Sequence, residues 1–401
     1  CCSSIVAHAN SIPGAMQQLI HKTDPNINFG MMVVDLTTGS TLYDHQSKQL
    51  FIPASNMKLF SEALAMLAMG TDYQIPTTLS TDAKTLAAGR LNGSLYLHLA
   101  PDPSFNHRDL YALFDQLKKW HITELSGDVV VDSDLAKVTP YAPGMTPKDQ
   151  QYAYGAPVGP VILDENRLTI TVNPASSAGQ NAVVETASPD GVFTIDNQVK
   201  TQANPKGCGV SMSFDNLGVL HVRGCVGVGQ LALIQRIPVR QPQNFLSAHI
   251  RYQLKQMNIN WQGQVRYGHT PAKTIQIARH YSPPLQQLMS ATLKPSDNLY
   301  ANSLYLLATN HIRHSPSTWS DAQVAAPNYL KALTHINFDN AVFTDGSGLS
   351  HFNKVTPFQT LSLLTYLYTK FPLAYEYISA LPISGYDGTL VRRLNRPDQK
   401  G

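Results

Sequence analysis

A serine and a lysine three positions apart open an apolar segment of the chain. Ser55 and Lys58 stand in FIPASNMKLFSEALAMLAMG, whose apolar residues repeat every three to four positions and predict a buried helix ended by Gly70. Positions i and i+3 share a helix face, so a neutral, buried Lys58 amine could take the proton of Ser55 Oγ. The backbone N–H of Ser55 could also stabilise an oxyanion. The alternative is that Ser55 simply caps the helix.

A second candidate element is the turn Ser296-Asp297-Asn298, which follows Pro295 and precedes another apolar segment. Ser296 would supply a second hydroxyl that relays a proton, and Asn298 an amide that holds a substrate. The alternative is an ordinary capping turn, in which Ser296 or Asp297 accepts from the first N–H groups of the helix. The later stretch TDGSGLSHFN by itself indicates only a tight, glycine-bracketed loop.

Composition limits the class of protein. The chain has 401 residues, 43% of them hydrophobic, which is ample for a large core and for more than one domain. The net charge of +3 is too small to indicate a nucleic-acid partner. The sequence contains no run of about 18 or more apolar residues, the length that a complete membrane span requires. Peripheral contact with a membrane stays open.

The N-terminal residues indicate export. The tripeptide Ala-His-Ala at positions 7–9 has the small-residue pattern of a signal-peptide cleavage site. Residues 1–9 then form the tail of a signal peptide, the mature protein begins near Asn10, and a periplasmic location follows. The alternatives are a chance occurrence of this short pattern and a lipoprotein that begins at Cys1 or Cys2.

Cys208 and Cys225 flank a predicted hairpin. Alternating apolar residues at 210–214 and a second strand at 219–222 surround a turn at 215–218. Folding the chain about this turn places the two cysteines opposite each other, within reach of a disulfide. Two buried free thiols are the alternative, and the disulfide agrees better with export.

The secondary-structure signals divide the chain into three segments. Residues 10–77 carry a hairpin and the apolar helix, and helices return in 275–401, whereas 78–274 consists mainly of short strands and turns. The expected fold is α/β (α+β). An antiparallel sheet with helices on both faces is expected to form the main module, which the β-rich region 78–274 interrupts. A nested subdomain is expected at about 165–232.

These elements together resemble a known family, the D-alanyl-D-alanine carboxypeptidase/endopeptidases of the penicillin-binding protein 4 type, peptidase family S13. The resemblance runs along nearly the whole chain and includes VVDLTTGSTLYDHQSKQLFIPASNMKLF, YAYGAPVGPVILDEN, KPSDNLYANSLYLL, FTDGSGLS and LPISGYDGTLVRRL. Ser-x-x-Lys followed by Ser-Asp-Asn is also the order found in penicillin-binding proteins and class A β-lactamases. The long separation of Lys58 from Ser296 resembles that of a family with two inserted domains.

The resemblance implies a β-lactamase/transpeptidase-like serine-peptidase module and a reaction. The protein would hydrolyse D-Ala-D-Ala, or D-Ala-to-diaminopimelate cross-links, in peptidoglycan through an acyl-enzyme. Ser55 would be the nucleophile, Lys58 its base, and Ser296 the group that passes the proton to the leaving amine. The implied partners are peptidoglycan stem peptides and, as covalent inhibitors, β-lactam antibiotics. No metal or cofactor is expected, and the oligomeric state is not indicated.

Three further residues receive substrate-binding roles from the resemblance. Asn298 would hydrogen-bond the peptide backbone of the substrate. Asp164 aligns with an acidic residue that reads the free amine of diaminopimelate in relatives, and its alternative role is that of a turn residue before Asn166. His351 stands where relatives usually have an arginine that helps to bind the stem peptide, so recognition of a second carboxylate stays open. The family also carries a disulfide within the insertion, in agreement with Cys208–Cys225.

The third motif of the family, Lys-Thr-Gly, does not occur in the 401 residues. The family places it soon after GYDGTL, and the sequence ends at NRPDQKG, just short of that point. We therefore expect the sequence to be part of a longer protein whose last strands follow Gly401. The alternatives are a catalytically inactive wall-binding homologue and a β-lactamase or esterase with the same acylation chemistry.

Overall fold

The computed structural model describes residues 12–24, 26–86, 89–189, 193–215, 217–394, 396–397 and 399. The expected signal-peptide tail at 1–9, with Cys1 and Cys2, lies outside these residues. The α-helices are α1 (Ile12–Thr23), α2 (Met57–Met69), α3 (His107–Asp115), α4 (Pro242–Gln256), α5 (Leu285–Leu293), α6 (Asn298–Arg313), α7 (Trp319–Thr334), α8 (Pro357–Tyr368) and α9 (Leu373–Ala380). None of the helices in these ranges is long and apolar enough to cross a membrane.

The strands are short and belong to several small sheets. They are β1 (Met31–Val34), β2 (Thr41–His45), β3 (Pro76–Thr81), β4 (Gly89–Leu91), β5 (Leu95–Leu99), β6 (Ile122–Leu125), β7 (Val129–Ser133), β8 (Arg167–Asn173), β9 (Val183–Thr186), β10 (Ile195–Gln202), β11 (Val210–Phe214), β12 (Leu220–Gly227), β13 (Leu233–Pro238), β14 (Asn260–Trp261), β15 (Val265–Tyr267) and β16 (Ile275–Tyr281). Most strands lie between 76 and 281 and most helices from 285 onwards, and the buried apolar side chains form two separate cores.

The first core surrounds α2, which is apolar on nearly all sides. Phe60, Leu64 and Met66 of α2 are each at most 1% exposed, and α6 and α5 pack against the helix. Gly70 ends α2 with a positive φ of 80°, and its N–H donates to the carbonyl of Met66. In the described residues, the predicted antiparallel sheet of this module consists of the β1–β2 hairpin. Two isolated antiparallel bridges, Phe51 with Val355 and Val342 with Lys354, lie in the same module.

The second core belongs to the β-rich region. Its largest sheet has five strands in the order β15-β7-β5-β3-β16 and mixes parallel with antiparallel pairs. Strands β3 and β16, which flank the predicted boundaries at 78 and 274, pair with each other in antiparallel fashion. The chain therefore leaves the first module and returns to it along one edge of this sheet. Helices α3 and α4 contribute Leu110, Phe114 and Ile250 to the same core.

Two three-stranded sheets, β13-β8-β9 and β10-β12-β11, lie within and next to the predicted subdomain at 165–232. The disulfide between Cys208 and Cys225 is present, with Cα atoms 5.0 Å apart. The predicted pairing of β11 with β12 was wrong by one residue. Val210 faces Gly224, so the hairpin is centred on Leu217 and not between positions 216 and 217. The disulfide still forms because the regular pairing of β11 with β12 ends at Val210 and Gly224, before it reaches the cysteines. Beyond this point the Cys225 N–H donates to the Gly209 carbonyl.

Candidate active site

Ser55 and Lys58 occupy the junction between a short 3₁₀ turn and α2. The turn covers Ala54–Asn56 and runs directly into the helix at Met57. This geometry leaves Ser55 exposed, while Lys58 is only 1% exposed. The Lys58 Nζ atom lies 3.2 Å from Ser55 Oγ. An accessible hydroxyl thus lies directly above a buried amine.

Three acceptors surround the Lys58 amine. Besides Ser55 Oγ, it donates to Asn298 Oδ1 at 2.6 Å and to the carbonyl of Ser347 at 2.7 Å. A neutral lysine has two N–H bonds and one lone pair. The amide and carbonyl oxygens can hold its two N–H groups, which would turn the lone pair towards the Ser55 hydroxyl.

Burial makes the neutral form of Lys58 accessible. It lowers the Lys58 pKa to about 8, against the opposing charges of Asp345 and Asp297. A lysine whose pKa lies near neutrality exchanges its proton easily at physiological pH and can serve as a general base. The site thus pairs a poor nucleophile with a base in hydrogen-bond reach.

The Ser296-Asp297-Asn298 turn approaches the same amine from α6. Asp297 is the N-cap of α6 and accepts from the N–H groups of Leu299 and Tyr300. Asn298 bridges two parts of the molecule, since its Oδ1 accepts from Lys58 while its Nδ2 donates to the Tyr154 carbonyl at 2.9 Å.

Ser296 adopts the left-handed backbone conformation, with φ 61°. A serine in this conformation is uncommon and marks a turn that its surroundings hold in place. Its hydroxyl forms no hydrogen bond with the described part of the chain. The hydroxyl therefore stays available to another group.

The glycine-bracketed loop, TDGSGLSHFN at 344–353, contacts Lys58 through the carbonyl of Ser347. Asp345 is buried and accepts from Ser347 Oγ at 2.7 Å, and from the N–H groups of Gly348 and Ser350. Gly348 has φ 86°, and a Cβ atom built there would lie 1.8 Å from the Ala54 carbonyl. Only glycine fits this contact, which presses the loop against the peptide that precedes Ser55.

Sequence analysis did not identify Arg167, whose guanidinium enters the site from the start of β8. It binds both carboxylate oxygens of Asp297, at 2.5 and 3.0 Å. Its Nη1 also donates to Glu165 and its Nε to the Ala153 carbonyl, and the side chain is 4% exposed. The partners lie 130 positions apart. Only the tertiary fold brings them together, and no local pattern signals the pair.

Asp164 lies in the turn that leads to Arg167. Asp164, Glu165 and Asn166 have consecutive positive φ values of 51°, 58° and 47°. Each such residue costs about 1–2 kcal/mol, so other contacts must hold the turn. Asn166 supplies them: it is fully buried, its Nδ2 donates to two carbonyls, and its Oδ1 accepts from the Leu163 N–H.

The Asp164 carboxylate points to the β-rich region. It accepts from the His107 N–H at 3.1 Å and lies 2.9 Å from His107 Nδ1. Asp164 and Glu165 line a cavity of about 270 Å³. None of the hydrogen bonds described for Asp164 reaches Ser55 or Lys58, so Asp164 is not part of the hydrogen-bond network around the candidate catalytic groups.

His351 lies near the outer end of the glycine-bracketed loop. The side chain is exposed, and its backbone N–H donates to the carbonyl of Gly144. Asp149, in the segment after Gly144, lies close enough for its charge to interact with His351. His351 thus stands at the rim where the glycine-bracketed loop meets the β-rich region.

Glu62, one turn after Lys58 on α2, was also missed by sequence reasoning. It is fully buried, and neither carboxylate oxygen has a hydrogen-bond partner in the described residues. The neighbouring Thr292 hydroxyl donates its proton to the Leu288 carbonyl instead. Burial raises the Glu62 pKa well above its ordinary value. A charged residue within an apolar helix, four positions after the lysine, was the available signal.

The described residues contain no group of three or more histidine, cysteine or acidic side chains arranged to hold a metal ion. What they bring together is an exposed hydroxyl, a buried amine, a second free hydroxyl in the neighbouring turn and an amide. Such a set can activate a serine and move its proton to a leaving group.

Comparison with known proteins gives one family. The model of the D-Ala-D-Ala carboxypeptidase 3 (S13) family matches residues 15–401. The chain is 24% identical to the D-alanyl-D-alanine carboxypeptidase DacB of Haemophilus influenzae over 379 residues, which cover 94% of this chain and 78% of that protein. It is 26% identical to the D-alanyl-D-alanine carboxypeptidase of Actinomadura sp. strain R39, over 93% of this chain and 71% of that one.

Solved structures agree with this result. The crystal structure of penicillin-binding protein 4 from Haemophilus influenzae is 25% identical and has a TM-score of 0.84, over 96% of this chain and 84% of that one. The same protein in complex with a β-lactam has a TM-score of 0.77. The match confirms the predicted α+β fold of penicillin-binding type. With the family model spanning nearly its whole length, the chain belongs to the D-Ala-D-Ala carboxypeptidase 3 (S13) family.

Proposed function

We propose that the protein is a serine D-Ala-D-Ala carboxypeptidase that acts on peptidoglycan stem peptides through an acyl-enzyme on Ser55. The observation that carries the proposal is the buried Lys58 amine, 3.2 Å from the exposed Ser55 Oγ and with a pKa of about 8. Membership of the S13 family supports the substrate class.

In the acylation step, Ser55 Oγ attacks the carbonyl carbon of the penultimate D-Ala. The Ser55 proton passes to neutral Lys58, and the Ser55 N–H at the start of α2 stabilises the negative oxygen. Collapse of the tetrahedral intermediate breaks the peptide bond. The leaving D-Ala nitrogen takes a proton from Ser296, which recovers one from Lys58. A water molecule then hydrolyses the ester with Lys58 or Ser296 as base.

The contacts of the neighbouring turn support these roles. The hydroxyl of Ser296 has no hydrogen-bond partner among the described residues, and Asn298, two residues later, holds the Lys58 amine through its Oδ1. Because an amide has two N–H donors, Asn298 Nδ2 can bind Tyr154 and still donate to a substrate carbonyl.

Asp164 and His351 are proposed to bind the stem peptide. The Asp164 carboxylate borders the cavity of about 270 Å³ and would attract a free amine on the third residue of the peptide. His351, exposed at the rim, would contact the peptide without a fixed positive charge.

The same chemistry extends to three further proposals. A β-lactam would acylate Ser55 as a covalent inhibitor, in line with the β-lactam complex of the Haemophilus protein. Cleavage of D-Ala-to-diaminopimelate cross-links would follow if a cross-linked peptide enters the same site. Because peptidoglycan lies outside the inner membrane, we propose a periplasmic location.

The test is release of D-alanine from a pentapeptide that ends in D-Ala-D-Ala and carries a free amine on its third residue. The unaltered protein should release it, and Ser55→Ala should reduce the rate to the uncatalysed level. A cross-linked muropeptide and a hydrolysable β-lactam serve as the other substrates. Rapid turnover of the β-lactam without D-alanine release would assign the protein to the β-lactamases, and no covalent labelling at all would leave a wall-binding role.

A further inference from the structure

Arg167 belongs to the β-rich region, yet all three of its donor nitrogens are used at the candidate active site. Two of them bind the Asp297 carboxylate side by side, an arrangement that fixes direction as well as distance. The third, Nε, donates at 2.8 Å to the carbonyl of Ala153. The next carbonyl, that of Tyr154, accepts from Asn298. Arg167 therefore holds the segment at 153–154 and the turn before α6 in one arrangement.

The arrangement continues to the Lys58 amine. Asn298 directly follows Asp297, and its two amide ends bind Tyr154 and Lys58. A displaced Asp297 would rotate this amide and remove one acceptor from Lys58. The turn at 164–166, which has positive φ values and is held by the hydrogen bonds of the buried Asn166, positions Arg167 beside Asp297.

We propose that Arg167 is a positioning residue for the acylation step: it fixes the Ser296-Asp297-Asn298 turn against Lys58 and neutralises the Asp297 carboxylate, which would otherwise hold the Lys58 proton. The inference rests on the proposed function and adds a residue from outside the candidate catalytic module. Arg167 never touches the reacting atoms and acts through Asp297 and Asn298.

The charges around Lys58 make the proposal specific. Asp297 faces Lys58 from the start of α6 and Asp345 from the glycine-bracketed loop, and the charge of each favours the protonated amine. Glu62 faces Lys58 from α2 itself, but burial keeps it protonated and uncharged. Asp345 is satisfied by its own loop. Among the described residues, Asp297 alone of these three has an arginine partner, and that arginine shares Glu165 with the exposed Arg236. Removing Arg167 would leave the Asp297 charge uncompensated.

The experiment measures the rate constant of acylation by a fluorescent penicillin across the pH range that brackets the Lys58 pKa. Arg167→Met removes the charge and keeps the length of the side chain. We expect the midpoint of the rising limb to move to higher pH by about one unit, the size of shift that an uncompensated neighbouring charge produces. Below the midpoint the rate should fall about tenfold, because each pH unit changes the neutral fraction tenfold.

Two further variants separate charge from structure. Asp297→Asn removes the negative charge but keeps a good helix cap, so its midpoint should move to lower pH. Arg167→Lys keeps the charge and loses the paired hydrogen bonds, so its midpoint should stay near that of the unaltered protein while the rate falls severalfold. The control is Arg223→Met, which removes an exposed arginine that pairs with Asp196 elsewhere in the β-rich region.

Equal midpoints in Arg167→Met and the control would overturn the inference. If Arg167→Met fails to fold, an unshifted midpoint in Asp297→Asn together with an unchanged rate in Arg167→Lys overturns it equally. No labelling of the unaltered protein would overturn the proposed function and this inference with it. Labelling with identical pH profiles would overturn the inference alone.

Discussion

At the scale of single residues, two ionisable groups lie buried on consecutive turns of α2. Lys58 has three hydrogen-bond acceptors, whereas Glu62 has no donor among the described residues. A buried carboxylate without donors is costly, so Glu62 holds its proton while Lys58 is poised to lose one. The same helix thus carries a base for the reaction and a neutral acid within the core.

Glu62 makes the stability of the protein depend on pH. In the unfolded chain Glu62 ionises near its ordinary pKa of about 4.5, whereas burial raises the pKa in the folded state. Between these two values the folded state binds one more proton, so the free energy of unfolding falls as pH rises, by up to about 1.4 kcal/mol per pH unit. Glu62→Gln should remove this contribution, and the slope should become less negative.

Urea unfolding of both proteins at a series of pH values measures the slope. Asp339→Asn, which alters an exposed carboxylate paired with Lys331, is the control for loss of one acid. Identical slopes for Glu62→Gln and the unaltered protein would mean that Glu62 is ionised in the folded state.

At the scale of elements, periodicity and turn chemistry were sufficient to predict the helices and turns that carry the candidate site. The apolar repeat predicted α2, and the spacing of Ser55 and Lys58 placed both at its start. The residue pattern also predicted the two strands of the hairpin that the disulfide closes, although the register between β11 and β12 differed by one position. These features depend on neighbours in the sequence.

The rest of the site depends on contacts between distant segments. The carbonyl of Ser347, the guanidinium of Arg167 and the carbonyl of Tyr154 meet at the site from three separate parts of the chain. Two of these groups are backbone carbonyls, which every residue has, so residue type carries no signal. The glycine-bracketed loop could be predicted as a turn, but its contact with Ala54 could not.

The contact of Gly348 with Ala54 predicts a sensitive position. A methyl group at Gly348 would meet the Ala54 carbonyl at 1.8 Å and would also be strained by the positive φ of 86°. We expect Gly348→Ala to displace the loop, to take the Ser347 carbonyl away from Lys58 and to slow penicillin acylation about 100-fold, as misplacement by about 1 Å can do.

The matched control is Gly39→Ala. Gly39 also has a positive φ, of 73°, but a methyl group there meets nothing within 4 Å. Its acylation rate should stay within about twofold of the unaltered protein, since a turn glycine away from the site affects only stability. Similar acylation rates for Gly348→Ala and Gly39→Ala would mean that the glycine-bracketed loop does not help to position Lys58.

At the scale of the whole molecule, two hydrophobic cores share one candidate active site. The groups proposed for catalysis belong to the first core, while Arg167 and the carbonyl of Tyr154 come from the β-rich region. The β10-β12-β11 sheet lies further along the same region and carries the disulfide. The β-rich region is therefore predicted to affect acylation through its contacts with the turn before α6 and with the glycine-bracketed loop, and not through the sheet that carries the disulfide.

Removing the disulfide tests whether the β10-β12-β11 sheet can be destabilised without an effect on acylation. Cys208 and Cys225 are 17 positions apart, and closing a loop of that size stabilises the folded state by about 3 kcal/mol in the chain-entropy account. The double variant Cys208→Ala, Cys225→Ala should unfold more easily in its β-rich region, while the acylation rate stays within about twofold.

Hydrogen exchange of strands β10–β12 and the penicillin acylation rate give the two readouts. The unaltered protein with added reductant is the control and should behave like the double variant. A parallel loss of acylation and of protection in β10–β12 would show that the two cores unfold as one unit.

Ser55 is proposed to carry the acyl group. Cleavage after Lys48 and Lys58 releases the peptide QLFIPASNMK, in which Ser55 is the sole serine. After treatment with penicillin, mass spectrometry should find the added mass on this peptide, and Ser55→Ala should abolish it. An adduct on the peptide that contains Ser296, or any stoichiometric labelling of Ser55→Ala, would contradict the account.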